Sequence, residues 1–91
     1  MKGRVTATAF GELTEIQGYI AKENEVAARA VRMRIEEVIE RIFEFPFIAS
    51  PVDDTGVRVF PARPFPYLVF YTVGTREVII RNVRYAGRLR P

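Results

Sequence analysis

The sequence predicts an α+β fold, with an N-terminal strand and a helical hairpin followed by three strands in an antiparallel meander. Three observations predict it. Apolar residues recur at a spacing of two near the start, at three and four from Ala9 to Phe45, and at two again from Val57. Prolines 46 and 51 break the chain between the helical and the sheet portions. The 91 residues, 48% hydrophobic and 27% charged, suit one small folded domain spanning 1–91 and leave no room for a second. A domain of this size buries only about 60% of its unfolded surface, so its core is thin and help from a partner chain is plausible.

Arg4-Val5-Thr6-Ala7-Thr8 is short, alternating and β-branched, which predicts a strand. From Ala9 the period changes: Ala9, Leu13, Ile16 and Ile20 share one helix face, with Thr8 as the expected N-cap and Glu12 and Glu15 near the favourable N-terminus. Asn24 caps a longer helix expected from Glu25 to Phe45. Its apolar stripe is Ala27, Val31, Ile35, Val38 and Ile42, widened by Ile39 and Phe43. Arg32/Glu36 and Glu37/Arg41 stand four apart on its outer face, pairs contributing only a few tenths of a kcal/mol each.

Ser50 to Gly56 is a loop. Val57 to Phe60 is the next strand, and Pro61 predicts a sheet edge or a bulge near its end. Pro66 to Val73 is the strongest strand in the chain, Gly74-Thr75 a tight turn, and Glu77 to Tyr85 the returning strand. Arg88-Leu89-Arg90-Pro91 is a short basic tail. One helical hairpin covers one sheet face, yet Tyr67 to Val73 is apolar on both. The second face must therefore meet the tail, another subunit or a partner.

Composition removes several function classes. With no Cys there is no disulfide framework and no thiol nucleophile. With no His the commonest general base and transition-metal ligand are missing, and a Ser-His-Asp hydrolase is excluded. No metal and no cofactor are expected. No apolar run approaches the roughly 20 residues of a membrane span, so the default is a soluble, cytoplasmic protein.

Charge is uneven along the chain. Residues 1–54 carry seven basic and ten acidic groups, a net of −3; residues 55–91 carry seven arginines against Glu77, a net of +6. Together these make the +3 of the whole chain. Arginine offers a planar fork for carboxylate or phosphate, so the basic half points to an acidic protein, nucleic acid, or both.

Asp53-Asp54 is a plain turn pair, and Glu36, Glu37, Glu40 and Glu44 belong to the helix surface. The candidate interaction residues are Arg58, Arg63, Arg81, Arg84, Tyr85 and Arg88. Arg81 and Arg84, three apart on a strand, are expected on opposite faces. An RNase without His is conceivable with Arg81 and Arg88 on the phosphate and Tyr85 moving the proton. The plainer alternative has Tyr85 packing at a strand end while the arginines hold an acidic partner. A nucleic-acid-binding module is a third possibility, although no helix-turn-helix, RNP or KH signature is present.

Gly56-Val57-Arg58-Val59-Phe60, Phe65-Pro66-Tyr67-Leu68-Val69-Phe70-Tyr71 and Val78 through Arg88, preceded by Leu13 through Ala21 and Ala27-Ala28-Arg29, resemble the RelE/ParE toxin superfamily. The resemblance covers nearly the whole chain. It is nearest the ParE branch through Pro66, Tyr67 and Tyr71 and a closing V-x-H-x-x-R pattern, in which Val83 and Arg88 fit and Tyr85 stands where a histidine is usual. It implies the toxin of a type II toxin–antitoxin system associated with plasmid stabilisation, neutralised by a ParD-like antitoxin. ParE-like members inhibit DNA gyrase, whereas RelE-like members are ribosome-dependent mRNA endoribonucleases. The missing histidine, and Pro66-Tyr67 where RelE-type nucleases tend to place a basic residue, favour the gyrase inhibitor over the enzyme.

Overall fold

The structure, a computed structural model, describes residues 1–89, with Arg88 and Leu89 described by backbone alone. Strand β1 (Lys2–Val5) stops three residues before the expected limit, and helix α1 (Ala7–Ala21) starts correspondingly early. Thr6, not Thr8, caps α1: its hydroxyl accepts the Ala9 N–H at 3.0 Å. The reason is tertiary. Thr6 donates its N–H to the Ile80 carbonyl at 3.0 Å and its hydroxyl to the Arg81 carbonyl at 3.2 Å, so the chain leaves the sheet at that point.

Asn24 caps α2 (Glu25–Glu44), its side-chain oxygen accepting the Ala27 N–H at 2.9 Å. The helix ends one residue earlier than expected because Phe45 precedes Pro46, and a residue before proline is pushed out of helical conformation. Its buried stripe is Ala28, Val31, Ile35, Val38, Ile39 and Ile42, with Ala28 taking the place expected for Ala27. Arg32 pairs with Glu36 at 3.1 Å as its spacing suggests, but Glu37 pairs with Arg34 at 3.1 Å rather than with Arg41.

Strands β2 (Arg58–Pro61), β3 (Tyr67–Val73) and β4 (Glu77–Tyr85) complete a four-stranded sheet of order β1-β4-β3-β2. Pairing is antiparallel from β2 to β4, and β1 joins β4 in parallel. Pro61 ends an edge strand, where its missing N–H costs no ladder bond. A single 3-10 turn, Ala86–Leu89, follows β4, and Arg90-Pro91 of the expected basic tail lie outside the described residues.

The helical hairpin lies on one face of the sheet. Ala9 and Leu13 of α1 and the α2 stripe meet Val69, Tyr71, Val78, Ile80 and Val83 in one core. Among the described residues no helix is long and apolar enough to cross a membrane. Gly3 marks a close approach of helix and strand, because a Cβ there would stand 2.6 Å from three ring carbons of Phe43. Replacing Gly3 by Ala should therefore lower stability by about 1–3 kcal/mol through overpacking. An unchanged urea midpoint would contradict that contact.

Candidate functional site

Strand β4 carries three of the candidates, Arg81, Arg84 and Tyr85, and its geometry decides what they can do. Its core-facing side chains are Val78, Ile80 and Val83, a spacing of two and then three. The extra residue is a β-bulge: Phe70 opposes Asn82 and Tyr71 opposes Ile80, leaving Arg81 unmatched. The bulge shifts the alternation by one. Arg81 and Arg84, expected on opposite faces, consequently lie on the same helix-free face, together with Asn82. Arg81 donates from Nε to the Thr72 hydroxyl at 2.9 Å across that face.

β4 outruns β1, which pairs only as far as Ile80. The exposed edge beyond it is closed by Glu12 of α1, which accepts the Val83 N–H at 2.9 Å and the Asn82 side-chain amide at 3.2 Å. The Arg84 guanidinium approaches the same carboxylate at 3.4 Å. Glu12 was expected to act through the helix terminus; it acts instead as a substitute strand partner. No sequence spacing signals this, since Glu12 and Val83 are 71 residues apart.

Tyr85 faces the other way. It opposes Tyr67, and the two rings stack at a tilt with centroids 5.7 Å apart. Burial, and the neighbouring Tyr85 and Tyr19 phenols, push the Tyr67 phenol up from its ordinary value. Tyr85 thus belongs to an aromatic group on the helix side of the sheet's end, while Arg81 stands on the opposite side. Tyr85 and Arg81, joined in the expected nuclease arrangement, face opposite sides of the sheet. The Arg88 side chain lies outside the described residues.

Arg58 is engaged internally. It donates to the Ala49 carbonyl and lies over the Phe47 ring at 5.0 Å. Beside it Tyr71 donates its hydroxyl to the Pro46 carbonyl at 2.9 Å and accepts the Ala49 N–H at 3.3 Å. The two residues fasten the segment after α2, which displays Phe45, Phe47 and Ile48 to solvent. The Arg63 side chain is exposed, and its carbonyl accepts a bond from Arg34 at 2.6 Å. The five candidates whose side chains are described therefore do not form one site.

Asp53 is the turn residue it was expected to be, its carboxylate taking the Thr55 N–H at 2.8 Å. The Thr55 hydroxyl and N–H hold that carboxyl below its ordinary value. Among the described residues no group of three or more acidic side chains is gathered as a metal site. A groove of about 540 Å³ does open between the helices near β1, with Val5, Phe10, Leu13, Met33, Ile39 and Phe43 as its apolar lining and Glu36, Glu37 and Glu40 on its rim. Phe10 and Met33 are exposed there, and Arg32 bridges the two helices, bonding Gln17 at 2.7 Å and lying over Phe10.

Residues 4–90 match the family described as ParE toxin of type II toxin-antitoxin system, parDE. The chain belongs to the ParE toxin family. A protein of Sinorhizobium fredii (strain NBRC 101917 / NGR234) named as a candidate toxin, Y4kP, is 31% identical over 88 residues, covering 97% of this chain and 91% of that protein. A solved structure of a chromosomal ParDE toxin–antitoxin system from P. aeruginosa contains a chain that superposes with a TM-score of 0.80 at 19% identity, covering 93% of this chain and 95% of that one. The likeness shows that the two share the α+β fold. Membership of this toxin–antitoxin family implies an antitoxin partner; among the described residues Phe10, Tyr19, Met33 and Phe47 are exposed apolar side chains.

Proposed function

We propose that this ParE-type toxin inhibits DNA gyrase and is held inactive by a ParD-like antitoxin, both partners placing it in the cytoplasm. The observation that carries the choice of gyrase over mRNA cleavage is the bulge in β4. It separates Arg81 from Tyr85, so two of the three groups that the nuclease reading joins, Tyr85, Arg81 and Arg88, face opposite sides of the sheet. Tyr85 is stacked on Tyr67 instead. A binding inhibitor needs no proton carrier, only a surface.

The groove between α1 and α2 supports the antitoxin half of the proposal. Its apolar floor fits an amphipathic helix laid between the two helices, and the outer edge of β1 offers a strand-pairing site beside it. The toxin's basic half suits an acidic stretch of the same partner.

The experiment is a supercoiling assay with purified gyrase run beside a ribosome-bound mRNA cleavage assay, each with and without the antitoxin encoded next to this chain. The expected result is loss of supercoiling that the antitoxin restores, with intact mRNA. Unaffected gyrase, together with codon-positioned cuts that vanish in Tyr85→Phe, would overturn the proposal.

A further inference from the structure

The helix-free face of the sheet carries a row of cations that the β4 bulge assembles. In β1, Arg4 is level with Ile79, and Lys2 is level with Glu77. Ile79 is buried but absent from the cluster between sheet and helices; it is level with Thr72 and points to the helix-free face, so Arg4 and Lys2 point there too. Arg81 and Arg84 continue the row on β4. From the level of Arg4 to Arg84 is five residues, a span of about 17 Å at ~3.3 Å per residue. Lys2, Arg4, Arg81 and Arg84 stand against Glu77 of the strand and Glu12 at its edge, an excess of two positive charges.

The cations are lightly held. Arg4 meets Glu77 at 3.4 Å and Arg84 meets Glu12 at 3.4 Å, with the arginines more than half exposed, so water weakens both pairs. Arg81 donates to a neutral hydroxyl. Beside this row lies an apolar strip: Leu68 opposes Arg84 and Phe70 opposes Asn82, both only half-buried. A cationic track next to an accessible aromatic ring is the arrangement that takes a flexible polyanion with flat apolar groups.

We propose that this face binds single-stranded nucleic acid, with Arg4, Arg81 and Arg84 on backbone phosphates and Phe70 against a base. Phosphates suit the arginine forks and a base suits the ring; every nucleotide of a single strand supplies both groups, whereas an acidic peptide supplies the second only where an apolar residue falls at that position. Duplex is disfavoured because its bases are stacked away from Phe70. The inference does not rest on gyrase as target, and mRNA cleavage is not part of it.

Fluorescence anisotropy with end-labelled 12-mers of deoxythymidylate and uridylate tests it on the full chain at 50 and 200 mM salt. Binding should weaken with salt, and Arg81→Ala should reduce affinity about five- to tenfold and lower the salt slope by roughly 0.7, as loss of one phosphate contact does. Phe70→Leu, which keeps apolar bulk, should weaken binding without changing that slope. Arg29→Ala, which removes the same charge from the outer surface of α2, should leave affinity within about twofold. Absent binding at 50 mM salt would overturn the proposal. Equal loss in Arg29→Ala, equal affinity for a 12-base-pair duplex, or displacement by polyglutamate as effective as by polyuridylate would each overturn it as well.

Discussion

Replacing Glu12 by alanine is expected to lower the stability of the fold by about 2–3 kcal/mol, an unusually large effect for a residue that is not apolar and not fully buried. A charge-assisted bond from a backbone N–H contributes about 1.5–3 kcal/mol, and the Val83 N–H at 2.9 Å is such a bond. The Asn82 amide and Arg84 guanidinium add less, because both are partly exposed and the contacts are longer. The effect is large because α1 has few other anchors. It buries only Ala9 and Leu13 outright, so the carboxylate is a main tie between that helix and the sheet. Glu12→Gln keeps an acceptor for Val83 and should cost less than half as much. Denaturant unfolding of both variants checks this. Equal losses would mean that charge, not the strand-edge bond, is what matters, and no loss in Glu12→Ala would remove Glu12 from the account.

Most of the architecture was legible because it depends on local pattern. The α2 stripe from Val31 to Ile42 has helical period, Asn24 is a strong cap, and Pro46 ends the helix within one residue of its expected limit. The limits of β1 were not legible. Thr6 and Thr8 are equally good caps in sequence, and the choice is made by bonds from Thr6 to Ile80 and Arg81, far along the chain. The arginine face is not legible in the sequence for a related reason. Strict alternation puts Arg81 and Arg84 on opposite sides, and a one-residue bulge, which leaves no mark in an apolar run such as Val78 to Val83, puts them together. Arg58 shows the converse. Its charge marked it as a candidate for a partner, but its neighbours in space, Ala49 and Phe47, already occupy it. Charge can be counted from a sequence; whether a charge is already engaged cannot.

Tyr71→Phe is expected to destabilise the fold by about 2 kcal/mol at neutral pH, although it removes a single oxygen. The ring is fully buried at the centre of the sheet, and its hydroxyl satisfies the Pro46 carbonyl and the Ala49 N–H together. Phenylalanine fills the same space and leaves two backbone groups without that partner, at about 1–3 kcal/mol for an unsatisfied buried group, reduced where water reaches the segment. The variant should also loosen residues 46–49, which would keep the bond from Arg58 to the Ala49 carbonyl, the Arg58 contact with the Phe47 ring and the turn bond from Ile48 to Phe45. The pH dependence separates this from a simple packing defect. Burial pushes the Tyr71 phenol above its ordinary value of 10.0, against smaller opposing effects of the Ala49 N–H and the Arg58 charge. A phenol that ionises later in the folded chain than in the unfolded one contributes its full stability below pH 10. That contribution is lost as pH rises toward the folded value. Wild type should therefore lose stability above pH 10 faster than Tyr71→Phe, which retains only the similar but separate dependence of Tyr67. The gap between the two proteins should narrow by at most about 1.4 kcal/mol per pH unit. Urea midpoints at pH 7, 9 and 10.5 measure it, and a gap that stays constant or widens would mean that the buried hydroxyl is not what holds the segment after α2.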